Sequence, residues 1–249
     1  IPRSGGIAVM LGIFAGWKLV GGECNPALCV SLLTLIIVSL VDDLRGLSAK
    51  LRLLVQVAVA SFFVIHLSPI LSLLMMLILV VAIVWMTNLY NFIDGIDGLM
   101  GSMTTFGFGT YAVAAIIYGE TDFVLVNAVV AAAACAFLIF NLHPAKIFMG
   151  DVGSIPIGFL SASFGVIGWQ KGVWPFWFPL MVFFPFILDA TVTLVRRYMH
   201  GQNIFEAHRE HYFQRLVLMG LSHSKVTFIK CCLMLVVDLI ALVLIDDHL

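Results

Sequence analysis

The stretch Asn91-Phe92-Ile93-Asp94-Gly95-Ile96-Asp97-Gly98-Leu99 places two carboxylates, an amide and two glycines in a chain that is 62% hydrophobic. A charge at the centre of a lipid-spanning helix costs about 2.5–3.5 kcal/mol on insertion scales. Two so close together belong at a water-facing helix end or in a cavity, where they form a candidate functional site. Asp94 and Asp97 are three residues apart, so on a helical turn they share one face. Carboxylate and amide oxygens are hard ligands suited to Mg²⁺, which keeps waters and binds substrate phosphates as well.

Four further groups have the same character. Asp42-Asp43 closes an apolar run, and the chain returns to the next run within nine residues, past Lys50 and Arg52. Adjacent carboxylates repel, and holding both ionised calls for a cation or a basic partner. Lys50 and Arg52 supply that partner, bind a phosphate, or serve only as interfacial anchors. Phe148-Met149-Gly150-Asp151-Val152-Gly153-Ser154 is a small loop before an apolar helix. Amides and a hydroxyl at a helix N-terminus favour an anion. Asp151 would need a metal or a positive charge between itself and that anion, which makes it a second candidate Mg²⁺ ligand or else an N-cap. Asn141 ends the preceding run and either reads a base edge or caps the helix. His208 and His211 lie in the longest polar loop with Arg209 and Arg215. No H-E-x-x-H and no companion cysteines occur there, so a pyrophosphate suits this cluster better than zinc.

The elements that position these residues are membrane helices. Only 11% of the 249 residues are charged, and the mean hydropathy is +1.10. A soluble domain carries about 25% charged residues. Nine apolar segments of roughly membrane-spanning length can be read, at 7–20, 26–41, 51–67, 71–87, 99–117, 124–142, 153–169, 174–194 and 224–245. The expected fold is therefore all-α, a single membrane-embedded helix bundle over 1–249. Ile1 opens the sequence in place of Met, and residues 2–6 read as a loop, so an upstream helix is expected to be missing.

Alternating the sides puts eleven Lys and Arg on one face and two, Lys18 and Lys171, on the other. By the positive-inside rule the first face is cytoplasmic. Every polar cluster named above falls on that face, a pattern that favours an enzyme at the membrane surface. A transporter or channel, the competing class, places polar groups through the mid-plane. Only Asp238 and Asp189 fit that description, with Asp189 expected to pair with Arg196 or Arg197. Trp169, Trp174 and Trp177 are expected to form an aromatic belt at the opposite interface. The five cysteines are read as small free hydrophobes. A net charge of −1 and the lack of a basic patch exclude a nucleic-acid binder.

Taken together and in order, these motifs resemble the polyprenyl-phosphate N-acetylhexosamine-1-phosphate transferases. The form His208-Arg209-Glu210-His211-Tyr212-Phe213-Gln214 looks most like the branch that primes O-antigen or related cell-envelope glycans. The resemblance implies that undecaprenyl phosphate attacks the β-phosphorus of a UDP-N-acetyl sugar, giving undecaprenyl-diphospho-sugar and UMP, at the cytoplasmic face of a bacterial inner membrane. It implies Mg²⁺, with Mn²⁺ as an alternative, held by Asn91 and Asp151. Asp97 and Asn141 would contact uridine, with Phe148 close to the base. Asp42 or Asp43 would orient or deprotonate the lipid phosphate, and His208, Arg209 and His211 would bind the diphosphate or sugar. Asp94 is expected to be catalytic without a settled role. Lys50 and Arg52 stand in reversed order from the pentapeptide translocase pattern. The identity of the sugar and the presence of a homodimer stay open, as does an inactive, truncated family member.

Overall fold

A computed structural model describes residues 1–22, 25–203 and 210–246, without the side chain of residue 246. Within them the chain forms α1 (Gly5–Leu19), α2 (Pro26–Arg45), α3 (Ala49–Leu67), α4 (Leu73–Ile93), α5 (Leu99–Ile117), α6 (Thr121–Asn141), α7 (Asp151–Gln170), α8 (Phe178–Val182), α9 (Phe184–Met199), α10 (Tyr212–Leu218) and α11 (His223–Asp246). Seven of these (α2 to α7 and α11) are long and apolar enough to cross a membrane, and α1 is a shorter apolar helix. The protein is a polytopic membrane helix bundle.

The helices start where local chemistry permits. Asn25 accepts the Ala27 N–H at 2.8 Å with Pro26 at the first helical position, and Ser48 and Ser72 cap α3 and α4 through Leu51 and Met75. Gly46, at φ +70, closes α2. α7 is buried along nearly its whole length, and α2 and α4 pack along it. A helix apolar on all sides belongs at the centre of a bundle. The outer helices instead present Val30, Ile37, Leu74 and Val81 outward, as lipid-facing surfaces do.

Several expectations change. The segment at 174–194 is not one span: it breaks at Phe183 between α8 and α9, with Pro179 and Pro185 in the opening turns. Proline there removes an N–H that an uninterrupted helix would need. α2 runs on to Arg45, so Asp42 and Asp43 lie inside its last turn. Trp174 is not an interfacial anchor. It is 2% exposed, stacks on Tyr111 at 4.7 Å and donates its Nε1–H to the Gly165 carbonyl at 3.0 Å. Cys135, Cys231 and Cys232 are free, whereas Cys29 is disulfide-bonded.

The α4–α7 contact is a close backbone approach under the site. A Cβ on Gly158 would lie 2.7 Å from the Met86 carbonyl oxygen and 2.8 Å from the Thr87 Cα. Small residues let membrane helices approach in this way. Gly158→Leu should therefore destabilise the protein by about 1–3 kcal/mol, the usual cost of overpacking. Gly109→Ala, where nothing lies within 4 Å of the added Cβ, should leave it unchanged or slightly stabilised. Thermal unfolding in detergent checks both.

Candidate active site

Three elements, α2, the α4–α5 connection and α7, deliver the acidic residues to one end of the bundle. At the end of α2, Asp42 accepts the Leu47 N–H at 2.6 Å, which folds the α2–α3 turn back on the carboxylate. Arg52, one turn into α3, donates from Nη1 to Asp42 Oδ2 at 2.9 Å and to Asp151 Oδ2 at 3.1 Å. Asp151 opens α7, and the backbone N–H groups of Asp151 and Val152 are directed at the Asp43 carboxylate. Arg52 thus bridges two carboxylates, and the third, Asp43, lies beside them on the opening N–H groups of α7 with the Arg3 charge nearby. Lys50 is exposed on the first turn of α3. Asn91, in the last turn of α4, accepts a hydrogen bond from Ser154 Oγ of α7 at 3.3 Å, which places it beside the start of α7.

Asp94 and Asp97 are not on a helix. α4 ends at Ile93, and the residues up to Gly98 form successive turns instead of a helix, so helical spacing does not relate the two side chains, which take separate partners. Asp94 accepts the Gly150 N–H at 2.7 Å and the Met149 N–H at 3.4 Å. Gly150 adopts φ +71, and a Cβ there would run into the Arg3 carbonyl, so no other residue fits. Burial pushes the Asp94 carboxyl up, against the pull of the Gly150 and Met149 N–H groups and the Arg3 charge. Asp94 therefore shapes the loop that carries Asp151. The same loop is stitched to the chain start by Phe148 N–H to the Pro2 carbonyl (2.9 Å) and Gly5 N–H to the Phe148 carbonyl (3.0 Å).

Asp97 has a separate set of partners. Its Oδ2 lies 2.6 Å from His143 Nδ1 and 3.1 Å from the Ala145 N–H, and its Oδ1 lies 3.1 Å from His223 Nδ1. Burial acts to raise this carboxyl, but His143, Ala145 and His223 together outweigh it and hold it below the ordinary value. Asn141 is buried between the two connections: Oδ1 accepts the Gly98 N–H at 3.0 Å and Nδ2 donates to the Ile147 carbonyl at 2.9 Å. His143 and His223 were not legible as site residues, since only folding brings them to Asp97. The proximity of His143 to Asn141 was the one available hint.

Next to the carboxylates lies a groove of about 700 Å³ between α3, α4 and α9. Arg52, Gln56, Asn88, Asn91, His211 and Gln214 line its polar end, and Leu53, Val57, Leu77, Val81, Val84 and Trp85 its apolar length. From Asn91 to Leu77 it follows α4 for about 20 Å at 1.5 Å per residue. His211 is buried, stacked between Phe92 (5.6 Å) and Phe213 (5.3 Å), with Nδ1 3.6 Å from Asp189 Oδ1. Asp189 does not pair with Arg196 or Arg197. It meets Lys230 at 3.0 Å and accepts the Tyr212 and Phe213 N–H groups at the start of α10. The two arginines meet Glu210 instead. Asp238 accepts from Thr110 at 3.0 Å, joining α5 to α11. The two carboxylates that a transporter would use are thus engaged in holding helices together. His208 and Arg209 lie outside the described residues.

The depressed Asp97 carboxyl fixes the sign of a pH effect. In the folded state it binds fewer protons than the unfolded chain near the ordinary aspartate value of about 3.9. Its stabilising contribution is complete above that value and disappears as pH falls through the lower folded value. In chelator-treated protein, Asp97→Asn should lower stability at pH 6, and the gap to the unmodified chain should shrink at pH 3. Denaturation midpoints at the two pH values measure this.

The sequence model of glycosyl transferase family 4 matches residues 26–169, more than half of the chain, including Asp42, Asp43, Asp94, Asp97 and Asp151. A probable undecaprenyl-phosphate N-acetylglucosaminyl 1-phosphate transferase of Bacillus subtilis is 32% identical over 241 residues, 90% of this chain and 67% of that protein. A decaprenyl-phosphate N-acetylglucosaminephosphotransferase of Mycobacterium tuberculosis is 33% identical over 118 residues, 42% of this chain and 29% of its own. A phospho-N-acetylmuramoyl-pentapeptide-transferase of Lacticaseibacillus paracasei is 45% identical over 64 residues, 26% of this chain and 20% of its own. The chain thus spans about two thirds of the Bacillus protein and under a third of each of the other two in the matched regions. With the acidic cluster inside the matched region and the helix bundle around it, the chain belongs to glycosyl transferase family 4.

Proposed function

We propose that this protein transfers an N-acetylhexosamine-1-phosphate from a UDP-sugar to undecaprenyl phosphate, yielding undecaprenyl-diphospho-sugar and UMP. Such a product primes an O-antigen or another cell-envelope glycan. The observation that carries the reading is the continuity of the carboxylate cluster around Arg52 with a groove that is polar at that end and apolar for the rest of its length. A phosphate on a long isoprenoid has the same division. Its head fits beside Arg52 and His211, and its chain fits along Val57, Val81 and Val84 toward the lipid. The relatives named for undecaprenyl and decaprenyl phosphates support that acceptor.

The donor set fits a divalent cation. Arg52 bridges Asp42 and Asp151, and Asp43 acts on Asp151 from beside them, an oxygen-only carboxylate set of the kind hard cations require. Asp151 and Asn91 would hold Mg²⁺, or Mn²⁺ in its place. A bound Mg²⁺ supplies charge neutralisation on the diphosphate. The chain's own residues do the rest. Arg52, Lys50 and His211 attract and orient phosphate, with His208 and Arg209 proposed for the diphosphate or sugar. Asp43, exposed beside Asp42, orients the acceptor phosphate or takes its remaining proton; with a second pKa near 6 that phosphate is already mostly dianionic at pH 7. Its oxygen attacks the β-phosphorus, the bond to the α-phosphate oxygen breaks, and UMP leaves. Asp97, Asn141 and Phe148 are proposed for uridine. Positioning and charge neutralisation are what phosphoryl transfer needs most.

The active face is proposed to be cytoplasmic, in a bacterial inner membrane. The Lys and Arg asymmetry supports this, and so does the disulfide-bonded Cys29, at the end of α2 remote from Asp42, where an oxidising compartment is expected.

Asp151→Asn should lower UMP release by about 100-fold or more with the fold intact, because it removes a charged ligand from the proposed Mg²⁺ site. Rates equal to those of the unmodified chain would contradict the metal assignment. Val84→Trp should fill the groove and raise KM for undecaprenyl phosphate roughly tenfold, equivalent to about 1.4 kcal/mol, while KM for the UDP-sugar stays put. Steady-state kinetics with each substrate varied in turn separates the two.

A further inference from the structure

Asp97 sits where three elements meet. The α4–α5 connection carries the carboxylate, the α6–α7 connection brings His143, and the first residue of α11 is His223. The three donor atoms, two imidazole nitrogens and one carboxylate oxygen, lie within 4.8 Å of one another, and the two rings are 5.9 Å apart. We infer that Asp97, His143 and His223 form a second divalent-metal site, selective for a transition metal of the Zn²⁺ class and separate from the carboxylate cluster at Arg52.

The chemistry of the donors separates the two sites. Two imidazoles and a carboxylate make a borderline N₂O set that suits Zn²⁺, Co²⁺ or Ni²⁺ and gives Mg²⁺ no advantage. The cluster at Arg52 offers oxygen alone. Hydrogen bonds anchor the carboxylate and its backbone. Asp97 Oδ2 accepts the Ala145 N–H at 3.1 Å, and Thr227 Oγ1 donates to the Asp97 carbonyl at 2.7 Å. Outer partners of this kind orient metal ligands. The histidines are the adjustable members. Their side chains are 45% and 33% exposed against 10% for Asp97, so the rings can close to the ~2.0–2.1 Å bonds zinc takes. The same exposure admits the ion from water and leaves a fourth position for a water molecule, as in sites with three protein ligands.

The consequence rests on the proposed contact of Asp97 with uridine. A carboxylate engaged by the ion is withdrawn from the nucleotide, so the ion should raise KM for the UDP-sugar and leave kcat little changed.

Co²⁺ serves as the probe, because its visible absorption reports imidazole and carboxylate ligation whether or not the enzyme turns over. The full chain in detergent, held in excess Mg²⁺, should bind one equivalent of Co²⁺ with a visible band that Zn²⁺ displaces. The band should be lost in His143→Ala and in His223→Ala, each checked for folding by thermal unfolding, and kept in Asp151→Asn. Absence of the band in the unmodified chain, or its survival in both histidine variants, overturns the site. A Co²⁺ band with no Zn²⁺ effect on KM for the UDP-sugar upholds the metal site and removes only the nucleotide role of Asp97.

Discussion

Three carboxylates crowd together at one end of a lipid-spanning bundle, two of them bridged by the Arg52 guanidinium, and much of the structure follows from that crowding. Asp42, Asp43 and Asp151 come from two helices that are far apart in sequence and packed together in space. Arg52 bridges Asp42 and Asp151 from a third helix. Like charges this close repel unless a cation joins them. The fold holds them together with tight packing underneath, where the buried α7 lies against α2 and α4, and with short turns above. The negative charge left over is what a divalent cation would neutralise, and a cation held there would in turn attract a diphosphate.

The loops over this end are ordered by two aspartates with separate partners. Asp94 takes the N–H groups of Met149 and Gly150 and so sets the angle at which α7 begins. Asp97 ties the same chain connection to the α6–α7 loop and to α11 through two histidines. Asn141 spans the gap between the connections. Substitutions at these positions should act on the acidic cluster through backbone placement. Beside the cluster, His211 is held by aromatic stacking and by Asp189, which in turn is fixed by Lys230 of α11. The final helix therefore supports both halves of the site.

Membrane spans were legible in the sequence because long apolar runs have few alternatives, and the acidic motifs were legible because charge among such runs is costly. Asp42, Asp43, Asn91 and Asp151 were expected at one face, and the structure gathers them there. Helical spacing misled at Asp94 and Asp97. A period-based argument assumes the helix continues, and Gly98 at φ +74 opens a new one after a run of turns. His143 and His223 went unread because their meaning lies in contacts across 46 and 126 residues. Trp174 was misplaced because composition marks a tryptophan as interfacial or buried only once its neighbours, here Tyr111 and Phe178, are known. The break at Phe183 turned on two prolines whose positions in their helices no hydropathy average records.

The central claim is that the acidic end of the groove joins a sugar-phosphate to a lipid phosphate, and the nucleotide released tests it most directly. The purified chain, reconstituted in liposomes with undecaprenyl phosphate, Mg²⁺ and each of a panel of UDP-N-acetyl sugars, should with one of them release UMP in equal amount to a lipid-linked diphospho-sugar identified by mass. Chelation of the metal should stop both. Release of UDP with a lipid monophospho-sugar would contradict the account, because it would place the bond cleavage at the sugar carbon and not between the two phosphates.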